Sequence, residues 1–515
     1  MNAAIALLET ASSAGCDVCF ANPGTTEMAL VGALDAVPAI RPVLGLFEGV
    51  CTGAADGYAR MRDHPALTLL HLGPGFANGI ANLHNARRAF SPVVNLIGDH
   101  ATWHVAADAP LTSDIESLAR PVSRWVRTSE FGAQVPQDGA DAILASLSDV
   151  RGVASLVLPA DLQAAGGGQP VECSPPDVPA LPSASIERAA DALRNAKDPV
   201  LFLGGRALRA EALRSAQRVS QATGAQLITE VFPARWERGA GLPAPQRIPY
   251  FPEQAIELLS GRDAVVLAGA SAPVAFFGYE NTPGQLAPAE AILPAFGPEH
   301  DAERALAALA DATADSAPRE APRDHPLPPP PSGPLTTQTV GAALARALPA
   351  GAIVVDEAAT TSLQFGLQSG GAAPHTTLGL TGGAIGQGLP VATGAAIACP
   401  DQKIIAFQAD GSGAYTVQSL WTIARESLDV VTLLCSNRSY RILQVELQRA
   451  GVSDPGPAAR HLTTLDAPAL DWCALARGFG LPADRVSYID DSEALTRALN
   501  VAMAEPGPHF LELAL

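Results

Sequence analysis

Short apolar runs recur along the whole chain, and each is followed by a polar turn and then by a longer helical pattern. Continuous apolar runs that end in Gly, Asp or Asn are typical of parallel strands covered on both faces. Strands that alternate with helices in this way predict an α/β fold built on parallel sheets. Ligands of such sheets gather at the carboxyl ends of the strands, so we expect the chemistry in the turns that follow them. The predicted strands are Val18–Phe20, Leu67–Leu72, Val93–Ile97, Val200–Leu203, Gln226–Thr229, Ala264–Leu267, Ile353–Val355, Lys403–Phe407, Val430–Cys435 and His509–Leu515.

Two stretches interrupt this alternation. Residues 164–182 are rich in Gly and Pro, and residues 317–334 have a proline-rich, polyproline-like sequence. A proline-rich stretch is also a possible ligand for a proline-binding module, but its position between two globular patterns favours a plain connector. The interruptions predict three α/β domains at residues 1–165, 183–310 and 335–515, with a linker at 311–334.

Composition excludes several classes of partner. The net charge of −19 argues against nucleic acid and against an anionic membrane surface, because both require clustered Lys and Arg. Only 17% of the 515 residues are charged, which indicates that much of the surface is covered by other domains or subunits. No apolar run reaches the roughly 18 residues of a transmembrane helix. The N-terminus carries Glu9 within its apolar stretch and predicts a first helix rather than a signal peptide.

The cysteines predict a reducing, cytoplasmic location. There are seven of them, and a sparse, odd number does not make a disulfide framework. Cys16 and Cys19 have the spacing of a redox or zinc half-site, but no second pair follows at a metal-binding distance. We therefore expect two small residues near the start of a strand.

The segment from Lys403 to Tyr440 is the most informative for chemistry. One predicted strand ends at Asp410 and the next ends at Asn437, so two neighbouring parallel strands bring a carboxylate and a carboxamide to one sheet edge. These hard oxygen ligands suit Mg²⁺, and a helix that opens at Gly411 and Ser412 favours phosphate. The pattern predicts a magnesium and diphosphate site. The alternative is that Asp410 is a helix cap and Asn437 a turn residue.

A glycine loop precedes this segment. Gly383, Gly386 and Gly388 open a helix, which is a weak dinucleotide fingerprint when taken alone. If the loop binds a dinucleotide, Asp410 is the residue that binds the ribose, and Asn437 has no role in binding. The same loop also allows the backbone to approach any planar ring closely.

The first third of the chain offers a carboxylate and three polar turns. Glu48 precedes a helix predicted over Val50–Met61, although a lone Glu in this position is usually a surface residue or a helix start. The turns begin at Asn22, His71 and Gly98, and together they predict an active-site wall at one sheet edge. A satisfied buried histidine is the alternative for His71.

Together these motifs resemble those of the thiamine diphosphate enzymes of the acetolactate synthase, pyruvate decarboxylase and benzoylformate decarboxylase group. The resemblance covers essentially the whole chain and implies a pyrimidine-binding domain, a middle domain and a diphosphate-binding domain. It implies Mg²⁺ ligands at Asp410, Asn437 and the Ser439 carbonyl. Glu48 matches the family glutamate that pairs with the pyrimidine ring, and Ile385 the residue that bends the cofactor. The remaining implied cofactor contacts are Gly383 through its carbonyl, Gly411, Ser412, Thr360 and Tyr440.

The motifs indicate features of more than one branch of this family. Thr25 and His71 stand where benzoylformate decarboxylase has an active-site serine and histidine, whereas Leu111 replaces a glutamine typical of acetolactate synthases. The paired histidines of pyruvate decarboxylase are absent, although His100 lies close by in the sequence and is taken as a catalytic candidate. The middle-domain histidine of benzoylformate decarboxylase is also missing, because Phe276 occupies that region.

The resemblance implies Mg²⁺- and thiamine diphosphate-dependent, non-oxidative decarboxylation of a 2-oxo acid, through a C2 ylide and an enamine. It further implies a homodimer or homotetramer with active sites between chains. The alternatives are an acetolactate synthase-like carboligase, an NAD(P)-dependent oxidoreductase built on the glycine loop, and a catalytically weak regulatory homologue. Some family members hold FAD or ADP at a middle-domain turn such as Gly204-Gly205-Arg206, but many bind nothing there, and FAD is not expected.

Overall fold

Parallel sheets organise the chain, as the apolar runs predict. The structure is a computed structural model that describes residues 1–314 and 325–515. By spatial proximity the chain divides into two units, one of Met1–Pro176, Pro329–Leu367 and Leu380–Leu515, the other of Asp177–Pro328 and Gln368–Gly379. The α/β class with three parallel sheets is confirmed. The exact domain boundaries stay a prediction.

The first third of the chain forms a six-stranded parallel sheet in the order β2-β1-β3-β4-β6-β5. Its elements are α1 (Ala3–Ser13), β1 (Val18–Asn22), α2 (Met28–Ala36), β2 (Arg41–Leu44), α3 (Glu48–Arg62), β3 (Ala66–His71), α4 (Leu72–Arg88), β4 (Val93–Asp99), α5 (Ile115–Ala119), β5 (Trp125–Thr128), α6 (Val135–Leu147), β6 (Val153–Pro159) and α7 (Ala160–Gln163).

Both faces of this sheet are buried, which explains the continuous apolar runs. Cys19 packs into the cluster on one face of β1, and Val18 and Phe20 pack into the cluster on the other face. Cys16 and Cys19 are buried free thiols, and burial raises the pKa of Cys19 to about 12. A thiol that stays protonated is a poor nucleophile and a poor metal ligand, so the structural interpretation of this pair holds.

The middle of the chain forms a second parallel sheet in the order β10-β8-β7-β11-β12. Its elements are α8 (Ser183–Asn195), β7 (Pro199–Leu203), α9 (Ala210–Thr223), β8 (Gln226–Thr229), β9 (Trp236–Arg238), β10 (Gln246–Arg247), α10 (Pro252–Leu259), β11 (Ala264–Ala268), β12 (Ile292–Phe296) and α11 (Ala302–Thr313). Helix α11 therefore continues into the predicted linker. Residues 315–324 of that linker lie outside the described residues, and residues 325–334 contain no helix or strand.

The last third contributes parallel strands in the order β17-β18-β16-β15-β13. Strand β14 belongs to the second unit, where it pairs with β9 in antiparallel fashion. The elements are α12 (Thr337–Ala347), β13 (Ala352–Glu357), α13 (Ser362–Gln368), β14 (His375–Gly379), α14 (Gly388–Ala398), β15 (Ile404–Ala409), α15 (Asp410–Gly413), α16 (Ser419–Arg425), β16 (Val430–Ser436), α17 (Arg441–Arg449), α18 (Pro457–Thr463), α19 (Trp472–Gly478), β17 (Val486–Ile489), α20 (Ser492–Ala504) and β18 (His509–Ala514).

Eight short 3₁₀ helices complete the described elements: Thr25–Glu27, Val105–Ala107, Gly132–Gln134, Gly205–Leu208, Ala289–Ala291, Ser369–Gly371, Ala414–Thr416 and Ala483–Arg485. Within the described part of the chain, no helix is both long enough and apolar enough to cross a bilayer.

Helices α3 and α14 cross at very short distance within the first unit. A Cβ on Gly57 would lie 2.2 Å from the Val391 carbonyl oxygen, and one on Gly394 would lie 1.8 Å from the carbonyl oxygen of Ala54. Only glycine allows the two backbones to meet in this way. The crossing brings the start of α3, at Glu48, towards the glycine loop that precedes α14.

Candidate active site

Asp410 lies at the junction of β15 and α15, and only 2% of its surface is exposed. Strands β15 and β16 pair in parallel with Ala409 opposite Cys435, so their carboxyl ends meet as the sequence predicts. The Asp410 carboxylate accepts hydrogen bonds from the backbone N–H groups of Gly411 (2.8 Å) and Arg438 (2.6 Å). Burial raises the pKa of Asp410, and these two bonds oppose that effect.

Asn437 and Ser439 follow β16 at the same edge. The Asn437 Oδ1 atom accepts bonds from the Ser439 backbone N–H (3.0 Å) and hydroxyl (3.2 Å), which holds this turn in a defined shape. Within the described residues, the Ser439 carbonyl receives no hydrogen bond. The edge therefore offers a carboxylate, an amide oxygen and a backbone carbonyl. That donor set is all hard oxygen, which fits Mg²⁺.

A buried network connects this turn to the glycine loop. Gln408 donates to the Ser412 hydroxyl (2.5 Å) and to Glu357 Oε2 (2.8 Å). Glu357 also accepts from the backbone N–H groups of Gly386 (2.8 Å) and Gly388 (2.7 Å), and burial raises its pKa. Sequence reasoning missed Glu357 and Gln408, because strand residues of this kind carry no motif.

The glycine loop runs from Thr381 to Gly388. Gly383 and Gly386 have positive φ angles of 75° and 94°, which explains glycine at these positions. Thr416 donates from its hydroxyl to the Gly386 carbonyl at 2.8 Å. Among the described residues, no group donates to the carbonyl of Gly383. An unengaged Gly383 carbonyl fits the predicted contact with an amino group of a bound ring.

Glu48 is the first residue of α3 and is half-buried. Its Oε2 atom accepts from Asn78 Nδ2 at 3.0 Å. Asn82 donates to the carbonyl of Gly49 at 2.8 Å and lies 3.4 Å from that of Gly386. The glutamate helix and the glycine loop are thus in contact through one side chain within a single chain.

His71 ends β3 and is held by a carboxylate that sequence reasoning missed. Its Nδ1 atom lies 2.8 Å from Glu27 Oε2 and 3.2 Å from the Thr26 hydroxyl. Glu27 is fully buried and also accepts from the Gly24 backbone N–H at 2.6 Å. With a carboxylate accepting at Nδ1, the Nε2 atom is the nitrogen left for exchange with a substrate. Thr25, the predicted residue, is exposed and has no bond to His71.

The segment that follows His71 differs from the prediction. A polar turn is expected from His71 to Phe76, but helix α4 starts at Leu72, which takes a positive φ of 53°. Gly73 and Gly75 lie in the first helical turn, where a Cβ on Gly75 would lie 3.1 Å from Glu48 Oε1. The close packing of Glu48 against this turn favours a glycine at position 75.

The other predicted residues are spread around the same unit. The His100 ring is 5.4 Å from that of His104, and the buried His100 Nε2 has no partner among the described residues. Thr360 is half-buried in the turn after β13. The Tyr440 ring covers Gly411, where an added Cβ would lie 2.5 Å from it. Leu111 is 40% exposed. Thus Thr360, Tyr440 and Gly411 follow strands β13, β16 and β15 of the last-third sheet, whereas His100 and Leu111 follow β4.

Comparison with known proteins identifies the family of this chain. Two family models match: "Thiamine pyrophosphate enzyme, N-terminal TPP binding domain" over residues 1–118, and "Thiamine pyrophosphate enzyme, C-terminal TPP binding domain" over residues 367–513. IlvX of Mycobacterium tuberculosis, which carries the provisional name acetolactate synthase large subunit, is 46% identical over 100% of this chain and 99% of its own length. Benzoylformate decarboxylase of Pseudomonas aeruginosa is 29% identical over 97% of this chain and 96% of its own.

A solved structure shares the fold along the whole chain. The thiamine diphosphate-dependent 4-hydroxybenzoylformate decarboxylase of Rhodococcus jostii RHA1 superposes with a TM-score of 0.85 at 24% identity, covering 100% of this chain and 99% of that one. At this identity the likeness concerns the fold. Both matching family models describe thiamine pyrophosphate-binding domains, so they do not support the alternative of a nicotinamide-dependent oxidoreductase.

Proposed function

The chain belongs to the thiamine pyrophosphate enzymes, and from this premise we propose that it binds thiamine diphosphate with Mg²⁺ and removes CO₂ from a 2-oxo acid. The observation that carries the proposal is the joint placement of Asp410 and Asn437 at the ends of two paired parallel strands. When bound, thiamine diphosphate supplies a nucleophilic carbon and an electron sink for the pair released by decarboxylation.

The diphosphate edge holds the charged half of the cofactor in this proposal. Asp410, Asn437 and the Ser439 carbonyl would bind the Mg²⁺, and Gly411, Ser412 and Thr360 would contact the phosphates. The Gln408 bond fixes the Ser412 hydroxyl, so its position is set before a ligand arrives. The Tyr440 ring, which lies over Gly411, closes one side of this turn.

The glycine loop and Glu48 hold the ring half. The Gly383 carbonyl would accept from the amino group of the pyrimidine, Ile385 would support the bend, and Glu48 would share a proton with a ring nitrogen. Replacing Glu48 by Gln removes that proton exchange while keeping the shape, so we expect activity to fall by at least about 100-fold. Full activity of Glu48→Gln, measured as CO₂ release with the folded state checked by circular dichroism, would refute the role.

His71 is proposed as the acid–base group for the substrate. Glu27 fixes its ring through Nδ1, which leaves Nε2 to give or take a proton. Thr25 and His100 stay predicted as further catalytic residues. His100 has an unpartnered buried nitrogen, which suits a ligand contact, while the exposed Thr25 side chain needs substrate to acquire one.

A carboligase is the second candidate, because the relative that is 46% identical is named for acetolactate synthase. We favour decarboxylation, since Leu111 replaces the glutamine that the resemblance associates with carboligation. Product analysis separates the two reactions: an aldehyde is expected from pyruvate or benzoylformate. Acetolactate as the main product from pyruvate would establish the carboligase instead.

The middle domain is proposed to hold no flavin. Its glycine turn after β7 is already filled, because a Cβ on Gly204 would lie 1.8 Å from Glu230 Oε1. The Glu230 carboxyl accepts from the Gly205 N–H, and burial raises its pKa to about 7. A carboxyl group in this turn takes the place that a cofactor phosphate needs. Saturable binding of FAD to the wild-type protein, followed by flavin fluorescence, would contradict this.

A homo-oligomer and a cytoplasmic location stay predictions. The seven cysteines are all free thiols, which suits a reducing compartment. Light scattering of the protein with and without cofactor gives the oligomeric state. A strictly monomeric, fully active enzyme would refute active sites shared between chains.

A further inference from the structure

Helix α4 of the first third holds the glycine loop of the last third by its carbonyl groups. His84 Nε2 lies 3.1 Å from the carbonyl oxygen of Gly382, and Asn85 Nδ2 donates to that of Ala384 at 2.7 Å. Asn82 lies 3.4 Å from that of Gly386. Every second carbonyl of the loop is therefore engaged by one face of α4.

Asn85 makes the most specific of these contacts. Its Oδ1 atom also accepts from the backbone N–H of Ala384 at 3.2 Å, so one side chain binds both polar groups of one residue. Asn85 is completely buried, and its own backbone carbonyl accepts from the Thr381 hydroxyl at 2.7 Å. Only an amide both donates and accepts here, since Asp lacks the donor and Leu lacks both.

Three backbone N–H groups of the loop are bound by a residue of the last third of the chain. Glu357 accepts from the backbone N–H groups of Gly386, Gln387 and Gly388. The first third thus binds the loop through the carbonyls of Gly382, Ala384 and Gly386 and the Ala384 N–H, and Glu357 binds the N–H groups at the end of the loop. The Gly383 carbonyl, between the two that His84 and Asn85 engage, receives no hydrogen bond from any described residue.

We infer that Asn85, with His84, is a positioning residue that holds the glycine loop so that the Gly383 carbonyl stays available to the ring half of the cofactor. The inference rests on the proposed function, because it assigns that carbonyl to thiamine diphosphate. Among the described residues, no hydrogen bond joins Asn85 to Asp410 or to the diphosphate edge. Loss of Asn85 therefore weakens recognition of the ring and leaves recognition of the diphosphate unchanged.

The test is calorimetric titration of the full chain with two probes in the presence of Mg²⁺, thiamine diphosphate and inorganic diphosphate. For Asn85→Asp, we expect thiamine diphosphate to bind about 10-fold more weakly, because the hydrogen bonds from Asn85 Nδ2 to the Ala384 carbonyl and to Asn82 Oδ1 are lost and a carboxylate faces a carbonyl. Inorganic diphosphate should bind as to the wild type. Asn195→Asp, an exposed change in α8, is the matched control and should alter neither affinity.

Each outcome decides between the inference and its alternatives. If Asn85→Asp binds both probes more weakly by the same factor, Asn85 has a general structural role and the inference is overturned. Unchanged affinity for thiamine diphosphate in this variant also overturns it. Failure of the wild type to bind thiamine diphosphate refutes the proposed function instead. If the wild type binds thiamine diphosphate and the variants bind it with the same affinity, the inference is refuted and the proposed function stands.

His84 provides a second variant in case Asn85→Asp does not fold. His84 is half-buried, so His84→Leu is better tolerated than a change at Asn85. We expect His84→Leu to weaken thiamine diphosphate about 5-fold, and His84→Gln, which keeps an N–H donor, to restore it. Wild-type affinity in the leucine variant, or no rescue by glutamine, would overturn the inference.

Discussion

Gly57→Ala tests the crossing of α3 and α14, on which the placement of Glu48 and the glycine loop depends. The added Cβ would lie 2.2 Å from the Val391 carbonyl oxygen, whereas such contacts normally need about 3.3 Å. The helices must separate by about 1 Å. Neither partner is the flexible end of a side chain, so we take the upper end of overpacking costs, about 3 kcal/mol.

Replacing glycine by alanine also stabilises the helix itself, and a control variant measures this effect. Ala stabilises a helix relative to Gly by about 1 kcal/mol, so the expected net loss for Gly57→Ala is about 2 kcal/mol. Because the entropy of unfolding grows with size, by about 2.1 cal/mol/K per residue, this loss should lower the unfolding midpoint by about 2 to 3 °C. Gly32→Ala, at an exposed position of α2, meets nothing within 4 Å and should raise the midpoint.

Calorimetry of both apo variants provides the midpoints, and titration gives their affinity for thiamine diphosphate. Gly57→Ala should bind the cofactor more weakly, because α14 begins where the glycine loop ends. A midpoint that rises in Gly57→Ala as it does in Gly32→Ala would refute the close crossing. An unchanged cofactor affinity in a destabilised Gly57→Ala would refute the link between the crossing and the loop.

Three further predictions concern other buried groups. Glu27→Gln should lower kcat for a 2-oxo acid at least about 10-fold with unchanged cofactor affinity, because the neutral amide orients His71 less firmly; an unchanged kcat would contradict this. Arg60→Met leaves the Asp56 carboxylate buried without its ion pair at a cost of about 3 to 5 kcal/mol, visible as a lower midpoint. The double variant with Asp56→Leu should recover part of that loss, and a double variant less stable than Arg60→Met would count against it. Burial lowers the pKa of His375 to about 4 from 6.5, so the unfolded chain takes up this proton first as the pH falls. The free energy of unfolding therefore decreases as the pH drops from 6.5 to 4. His375→Asn should lose less stability over that range, and an equal loss in both proteins would refute the prediction.

Sequence alone predicted the sheets and the meeting of Asp410 and Asn437 at one sheet edge, since both follow from local pattern. Each of the ten predicted apolar runs overlaps a strand, with Leu72, Lys403 and Leu515 just outside, because strands buried on both faces are largely apolar. Asp410 and Asn437 meet because parallel neighbours align their carboxyl ends. The polar turn predicted from His71 to Phe76 is instead the first turn of α4, which starts at Leu72 with a positive φ that a leucine does not signal in the sequence.

The supporting residues could not be predicted in the same way. Glu27 meets His71, and Asn85 meets Ala384, only through the packing of elements that are far apart in the sequence. Glu357 is a strand residue whose carboxylate faces the start of a later helix. One weak signal was available for Glu27, because it follows Gly24 at the spacing of a helix-capping pair.

The most direct test of the central claim is calorimetric titration of thiamine diphosphate into the apo-protein, with and without Mg²⁺. We predict saturable binding that requires Mg²⁺, is lost in Asp410→Ala and is kept in Asp484→Ala, an exposed carboxylate of the same unit. The absence of binding in both conditions, or Mg²⁺-independent binding that survives in Asp410→Ala, would contradict the assignment of this sheet edge to the cofactor.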